Sequence, residues 1–356
     1  MSATKHEPDG AGARLPGGAP DPAGERALAG QVVVVAGATR GAGRGIARAF
    51  GEAGAMVYCT GRSVAGAPSP YGRPETIEET ARLVSAAGGT GVAVRVDHTC
   101  EDEVAALLEQ VEGEQGRIDV LVTAVAGEDP RLAGSAPVWT VELDRATDVL
   151  RAAVVSHLVT AKHAAARMVA RRRGLIVEVS EGDLLLGGSG DVLHDLVKSA
   201  VKALAVRLAE ELRPHGVAAL AVTPGFLRSE AMLAHFGVSE ATWRAAVRQD
   251  PHFAASESPL LLGRALAALA ADPEVLAHSG SMTSSWELAA RYGVVDVDGT
   301  RPDWGAHWRD VVLPDPAFRG VREAQARQLA LLERLAGRAR AYLGGAPTHP
   351  GAAPAG

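Results

Sequence analysis

Between Gln31 and Ser284, short apolar runs alternate with longer stretches of helical periodicity. The runs at 31–36, 55–59, 91–96, 119–123, 175–179 and 218–222 are nearly continuous in apolar side chains rather than alternating. Parallel strands covered on both faces require that pattern. Helical patterns fill the intervals at 42–52, 75–87, 101–114, 143–172 and 192–212, with helix stops at Gly54 and Gly88-Gly89. This alternation predicts an α/β fold, a doubly wound parallel sheet, over residues 29–285.

Beyond Ser284 the pattern changes. Residues 286–308 read as irregular, with turn signals at Asp298-Gly299 and Arg301-Pro302. A last helix is predicted over 317–342, with an apolar stripe of Val321, Ala324, Leu331, Leu335 and Ala339 opposite an arginine-rich face. A basic amphipathic helix can lie on a membrane or a partner. The expectation here is docking on its own domain or a second subunit, making 286–343 a C-terminal extension. Residues 1–28 and 344–356 are Gly-, Ala- and Pro-rich without the apolar core of a signal peptide, and are expected to be a disordered leader and tail.

Composition narrows the classes. With 356 residues, 47% hydrophobic and a net charge of −6, the chain can bury a large core but carries no basic footprint for nucleic acid. No apolar run approaches the roughly 20 residues a membrane helix needs. The two cysteines, Cys59 and Cys100, lack metal-site spacing; no disulfide framework is implied, which fits a reducing cytoplasm. No metal site is expected, since neither His-Glu-x-x-His nor clustered Cys and His occurs. No Gly-x-Ser-x-Gly elbow surrounds Ser180, so a serine hydrolase is also excluded.

The chemistry starts directly after the first run, at Gly37-Ala38-Thr39-Arg40-Gly41-Ala42-Gly43. A strand-to-helix turn without Cβ atoms lets backbone N–H groups approach a pyrophosphate at the helix N-terminus. The second run ends in Cys59-Thr60-Gly61-Arg62-Ser63, without the carboxylate that grips the ribose hydroxyls of NAD. Arg62, Ser63 and Arg40 can instead hold a 2′-phosphate, whose geometry suits a guanidinium fork. NADP(H) is therefore expected rather than NAD(H).

The Gly-x-x-x-Gly-x-Gly loop resembles that of the short-chain dehydrogenase/reductase family. The resemblance extends through Asp97, Ser180, Lys198 and Pro224-Gly225 and covers roughly residues 31–282. The stretch from Ser285-Trp286-Glu287-Leu288 to Asp298-Gly299 is similar to the subgroup around dehydrogenase/reductase member 1 and its bacterial relatives. The resemblance implies a Rossmann fold, with Gly37, Thr39, Arg40, Gly41, Gly43, Arg62, Ser63, Asp97, Lys198, Pro224 and Gly225 at the cofactor. It also implies a homodimer or homotetramer paired through the helices at 143–172 and 192–212.

The same resemblance implies a serine holding the substrate oxygen, a tyrosine as general acid and a lysine four residues later at the nicotinamide ribose. Ser180 and Lys198 fill two of these places, but His194 stands where the tyrosine is expected. Thr123-Ala124-Val125-Ala126-Gly127 replaces Asn-Asn-Ala-Gly, and no asparagine lies near Ala153. An imidazole can exchange protons near neutral pH, and the Lys198 cation is expected to keep it neutral. Glu181, Asp183, Asp191 and Asp195 are nearby acids; a carboxylate beside the imidazole would orient it and offset the lysine, while the general expectation for acids in such loops is solvation. Three readings follow: an NADP(H)-dependent oxidoreductase acting on a small organic carbonyl, alcohol or unsaturated substrate; a cofactor-binding protein without redox turnover; or a non-redox enzyme with His194 as base.

Overall fold

A computed structural model of the chain describes residues 26–67, 69, 72–126, 137–182 and 192–344. Gly127, Asp183, Asp191, most of the expected leader and nearly all of the tail lie outside the described residues. Seven strands are formed: β1 (Val32–Ala36), β2 (Met56–Gly61), β3 (Thr90–Arg95), β4 (Val120–Thr123), β5 (Gly174–Val179), β6 (Val217–Thr223) and β7 (Met282–Ser284). They make one parallel sheet in the order β3-β2-β1-β4-β5-β6-β7. The order reverses between β1 and β4, and in a doubly wound sheet the crevice beyond the strand ends at that point is where ligands bind.

The two faces are packed independently. Val33 and Val35 point to a core shared with α1 (Gly41–Glu52), α2 (Ile77–Ala87) and α8 (Pro259–Ala271), through Ile46, Phe50, Val84 and Leu262. Val32 and Val34 point the other way, onto α3 (Glu101–Gln115), α5 (Ser156–Arg171) and α6 (Val192–Leu212), through Leu108, Met168 and Ala209. A strand with both faces covered has no polar side, which is why β1 and β6 are buried at every position.

Several expected boundaries are corrected. The long helix at 143–172 is broken into α4 (Leu143–Leu150), a π-helical turn at Arg151–Val155 and α5. Leu28, assigned to the leader, is fully buried and donates its N–H to Ala53 O at 2.9 Å. The region after Ser284 is less irregular than its pattern suggests. It opens with α9 (Ser285–Tyr292), fixed by a reciprocal capping box between Ser284 and Glu287. The Asp298-Gly299 turn forms where expected, with Gly299 at φ 79°. Short helices α7 (Glu230–His235) and α10 (Trp304–His307), together with α8 and β7, were not legible from periodicity.

The last helix, α11, runs Arg319–Gly344. Its first turns lie against the body, with Val321, Ala324, Gln325 and Gln328 half-buried. Its second half does not dock on its own domain: Leu331 and Leu335 remain 43% and 48% exposed. No helix among the described residues is long and apolar enough to cross a membrane.

Candidate active site

One cavity of about 1150 Å³ opens over the C-terminal ends of β1, β4, β5 and β6. It brings together every residue singled out from the sequence: Gly37, Thr39, Arg40, Gly41, Gly43, Arg62, Ser63, Asp97, Ser180, His194, Lys198, Pro224 and Gly225. The glycine loop forms its floor at the N-terminus of α1. Gly37 has φ +83°, and a Cβ there would lie 2.7 Å from Ala124 O, so both backbone sign and space require glycine. The Gly41 N–H donates to Glu230 Oε2 at 2.7 Å, tying α7 to the loop.

At one end the cavity is rich in guanidinium groups. Arg40 Nε lies 3.3 Å from Glu75 Oε2, and Arg73 reaches the same carboxylate at 2.5 Å. Burial raises the Glu75 pKa, but Arg73 and then Arg40 more than offset it and hold the carboxyl below its ordinary value. Arg40 Nη2 is buried with no hydrogen-bond partner among the described residues. Arg62 Nη1 is 3.8 Å from Asp97 Oδ2, while Asp97 Oδ1 accepts from the Thr99 N–H and hydroxyl. Burial raises the Asp97 pKa too, yet the Thr99 bonds and Arg62 leave it lowered. An unpartnered guanidinium nitrogen beside a Cβ-free cradle fits a nucleotide carrying an extra phosphate. Arg73 and Glu75 were missed by sequence reasoning, because nothing in a loop's pattern shows which arginine faces inward.

At the reactive end the structure rearranges the expected roles. The Ser180 hydroxyl donates to Lys198 O at 3.0 Å, so in this geometry it is not available to donate to a substrate oxygen. Glu181 takes the place beside the imidazole: its Oε2 lies 3.2 Å from His194 Nε2 and 3.6 Å from Lys198 Nζ. Asp195 Oδ1 stands 3.6 Å from His194 Nδ1. The His194 hydrogen bond, with Lys198 behind it, holds the Glu181 carboxyl down to about 2. Of the surroundings expected for the imidazole, the one with a carboxylate beside it is found: Glu181 lies between His194 and Lys198. Lys202, one turn beyond Lys198, donates to Glu181 O (3.1 Å) and Gly182 O (3.2 Å) and fixes the backbone that carries Glu181.

Beneath this lies a buried polar cluster. His157 Nδ1 meets Glu178 Oε2 at 2.6 Å, and His157 Nε2 donates to Val125 O at 3.0 Å. Thr123 donates its hydroxyl to the same Glu178 oxygen, and Glu178 Oε1 has no partner among the described residues. His157 lines the cavity two residues beyond the π-helical segment, near the helix position where the resemblance implied an asparagine. The signal was present: Thr123 and Glu178 are register partners across β4 and β5, polar residues inside otherwise apolar runs. Alongside, His98 bonds Thr60 Oγ1 (2.8 Å) and Thr160 Oγ1 (3.0 Å), and burial pushes its pKa down to about 4.

The remaining wall joins the loop after β6 to the extension. A Cβ on Gly225 would lie 2.8 Å from Trp304 Cβ and 2.9 Å from Glu257 Oε2, so only glycine lets the extension close on this loop. Burial pushes the fully enclosed Glu257 up to about 8, and Ser285 Oγ donates to it at 2.6 Å. Arg228, also fully buried, pairs with Asp296 Oδ2 at 2.9 Å. Asp296 in turn accepts from the Ser258 N–H at 2.8 Å. Among the described residues no group of three or more His, Cys, Asp or Glu could hold a metal ion.

Comparison with known proteins places this architecture. The short chain dehydrogenase family model matches residues 31–236. Mouse dehydrogenase/reductase SDR family member 1 is 38% identical over 280 residues, covering 76% of this chain and 85% of that protein. A short chain dehydrogenase from Mycobacterium thermoresistibile superposes with a TM-score of 0.65 at 22% identity, over 78% of this chain and 92% of that one. A metagenomic short-chain oxidoreductase solved in complex with NADP gives 0.52 at 26% identity, covering 70% and 94%.

Proposed function

The chain belongs to the short-chain dehydrogenase/reductase family of oxidoreductases, and from that premise we propose that it is an NADP(H)-dependent enzyme with His194 as its proton-transfer group. Its substrate is an organic carbonyl, alcohol or unsaturated compound, and it works in the cytoplasm, where Cys59 and Cys100 stay as free thiols. The observation that carries the reading is the Glu181–His194–Lys198 cluster at 3.2 and 3.6 Å, in one cavity with the glycine loop. The loop around Gly37, Gly41 and Gly43 would hold the pyrophosphate, Arg40, Arg62, Ser63 and Arg73 the 2′-phosphate, and Lys198 the nicotinamide ribose.

NADP(H), when bound, supplies or accepts the hydride. The chain's own task is the proton. Glu181 stays ionised at neutral pH and accepts from His194 Nε2, which orients the ring and stabilises it whenever it carries a proton. Asp195 flanks Nδ1, so either ring nitrogen has an acidic neighbour into which charge can be balanced. Lys202 and Ser180 act one step back, holding the backbone of Glu181 and Lys198.

The test is steady NADPH consumption with a ketone panel. It is expected to be lost in His194→Ala and retained in Arg334→Ala on the exposed face of α11. A second reading is favoured by Ser180, whose hydroxyl is committed to Lys198 O: a cofactor-binding protein without redox turnover. That reading requires NADPH binding, seen by fluorescence, with no deuterium passed from labelled cofactor to any ketone.

A further inference from the structure

The cavity extends well beyond the proton-transfer cluster, and its outer part is built from the extension. The chain has few aromatic residues, 4% of the total, with five tryptophans and five phenylalanines. Three of those tryptophans (Trp286, Trp304, Trp308) and two of the phenylalanines (Phe226, Phe318) line this one cavity. None of the five is fully buried; each keeps part of its surface exposed. The rings form a connected surface. Phe226 meets Trp304 edge-on at 5.6 Å between centroids, Trp304 tilts against Trp308 at 6.2 Å, and Trp308 meets Phe318 at 6.0 Å. His252 and His307 close the circuit: His307 stacks on Trp304 at 5.4 Å, and His252 stands 6.1 Å from Phe318.

We propose that this aromatic wall is the substrate subsite, and that it takes a ring-bearing compound whose one oxygen function points inward to His194. Two considerations select that class. The inner end of the wall is fixed against the catalytic loop, because Trp304 packs on Gly225 with no room for a Cβ. A ligand on the wall is thereby held in a set direction toward the cluster. Flat rings presented to a cavity gain most from stacked or edge-on rings, which a flexible chain cannot supply without losing more conformational freedom.

The inference deepens the proposed function and rests on it only for the direction of the oxygen. It is tested by binding rather than turnover, with the full chain and calorimetry, using 2-acetylnaphthalene and 2-dodecanone as probes. The two ketones have the same carbon count and differ in rings. The naphthyl ketone should bind at least roughly tenfold more tightly than the linear one. Trp308→Ala and, separately, Phe318→Ala should each weaken the naphthyl ketone by roughly five- to tenfold and leave 2-dodecanone little changed. NADPH binding and the melting temperature are the folding controls; Phe318→Ala keeps the test open should Trp308→Ala misfold. Equal binding of the two ketones, or insensitivity to both variants, overturns the proposal. Ring-selective binding without NADPH turnover would remove the redox reading and leave the subsite assigned.

Discussion

At the scale of residues, the decisive feature is that Glu181 and His194 meet in space though thirteen positions apart in sequence. A tyrosine restored at 194 would find a carboxylate beside its hydroxyl, and a neighbouring negative charge raises a phenol's pKa. Lys198, which should lower it, is engaged by the same carboxylate at 3.6 Å. His194→Tyr alone is therefore expected to yield little NADPH-dependent ketone reduction, whereas the Glu181→Ser, His194→Tyr pair should exceed it by roughly tenfold or more. Equal rates in initial-velocity assays would show that Glu181 does not govern the proton at this position. The sequence made His194 and Lys198 legible, because spacing of four on a helix is local geometry. Glu181 was read among solvated acids, since its pairing depends on where β5 ends relative to α6. The same limit hid His157 and Arg73, whose partners are supplied by tertiary packing.

At the scale of elements, legibility followed periodicity. The six strands and five helices with continuous or amphipathic patterns were readable to within a few residues, the long helix before β5 excepted. That helix hides a π-helical turn, because inserting one residue into a turn leaves the apolar stripe nearly unchanged. α8 was missed for the opposite reason: it is apolar nearly all round, buried between α1 and α9, and so has no stripe to detect. β7 has only three residues. These unforeseen elements carry Glu257 at their junction, and its titration belongs to them. An unfolded glutamate ionises near its ordinary value of 4.5, while the folded one stays protonated until about 8. Between those values the folded state binds the extra proton, so stability is full below about 4.5 and falls as pH rises toward 8. Glu257→Gln keeps the shape and the Ser285 and Gly225 contacts without the ionisation. The wild type should lose melting temperature between pH 6 and pH 8.5, at about 1–2 °C per kcal/mol for a chain of this size, and the variant should lose less. Parallel profiles in a calorimetric pH series would remove Glu257 as the titrating group.

At the scale of the whole molecule, two apolar surfaces remain uncovered, and they lie on different elements. One spans the helices that flank the sheet on the α5 side: Leu143 is 78% exposed, Leu158 52% and Leu196 53%. The other is the second half of α11, where Leu331 and Leu335 face solvent. Family resemblance points to the first as the surface that pairs two copies, and we propose that pairing for this chain. Burying a leucine side chain is worth about 1.5–3 kcal/mol, and a symmetric interface counts each residue twice. Placing a charge at two such positions should therefore dissociate a dimer held there. Leu158→Glu with Leu196→Glu is expected to lower the mass seen by analytical ultracentrifugation to that of a single chain of 36.7 kDa, with the circular dichroism spectrum unchanged because both side chains face water within one chain. Leu331→Glu with Leu335→Glu should leave the mass as it was. If the α11 pair dissociates the assembly and the α5–α6 pair does not, the copies meet through the extension. The aromatic wall, which α11 approaches through Gln325, would then be completed across the interface rather than within one chain.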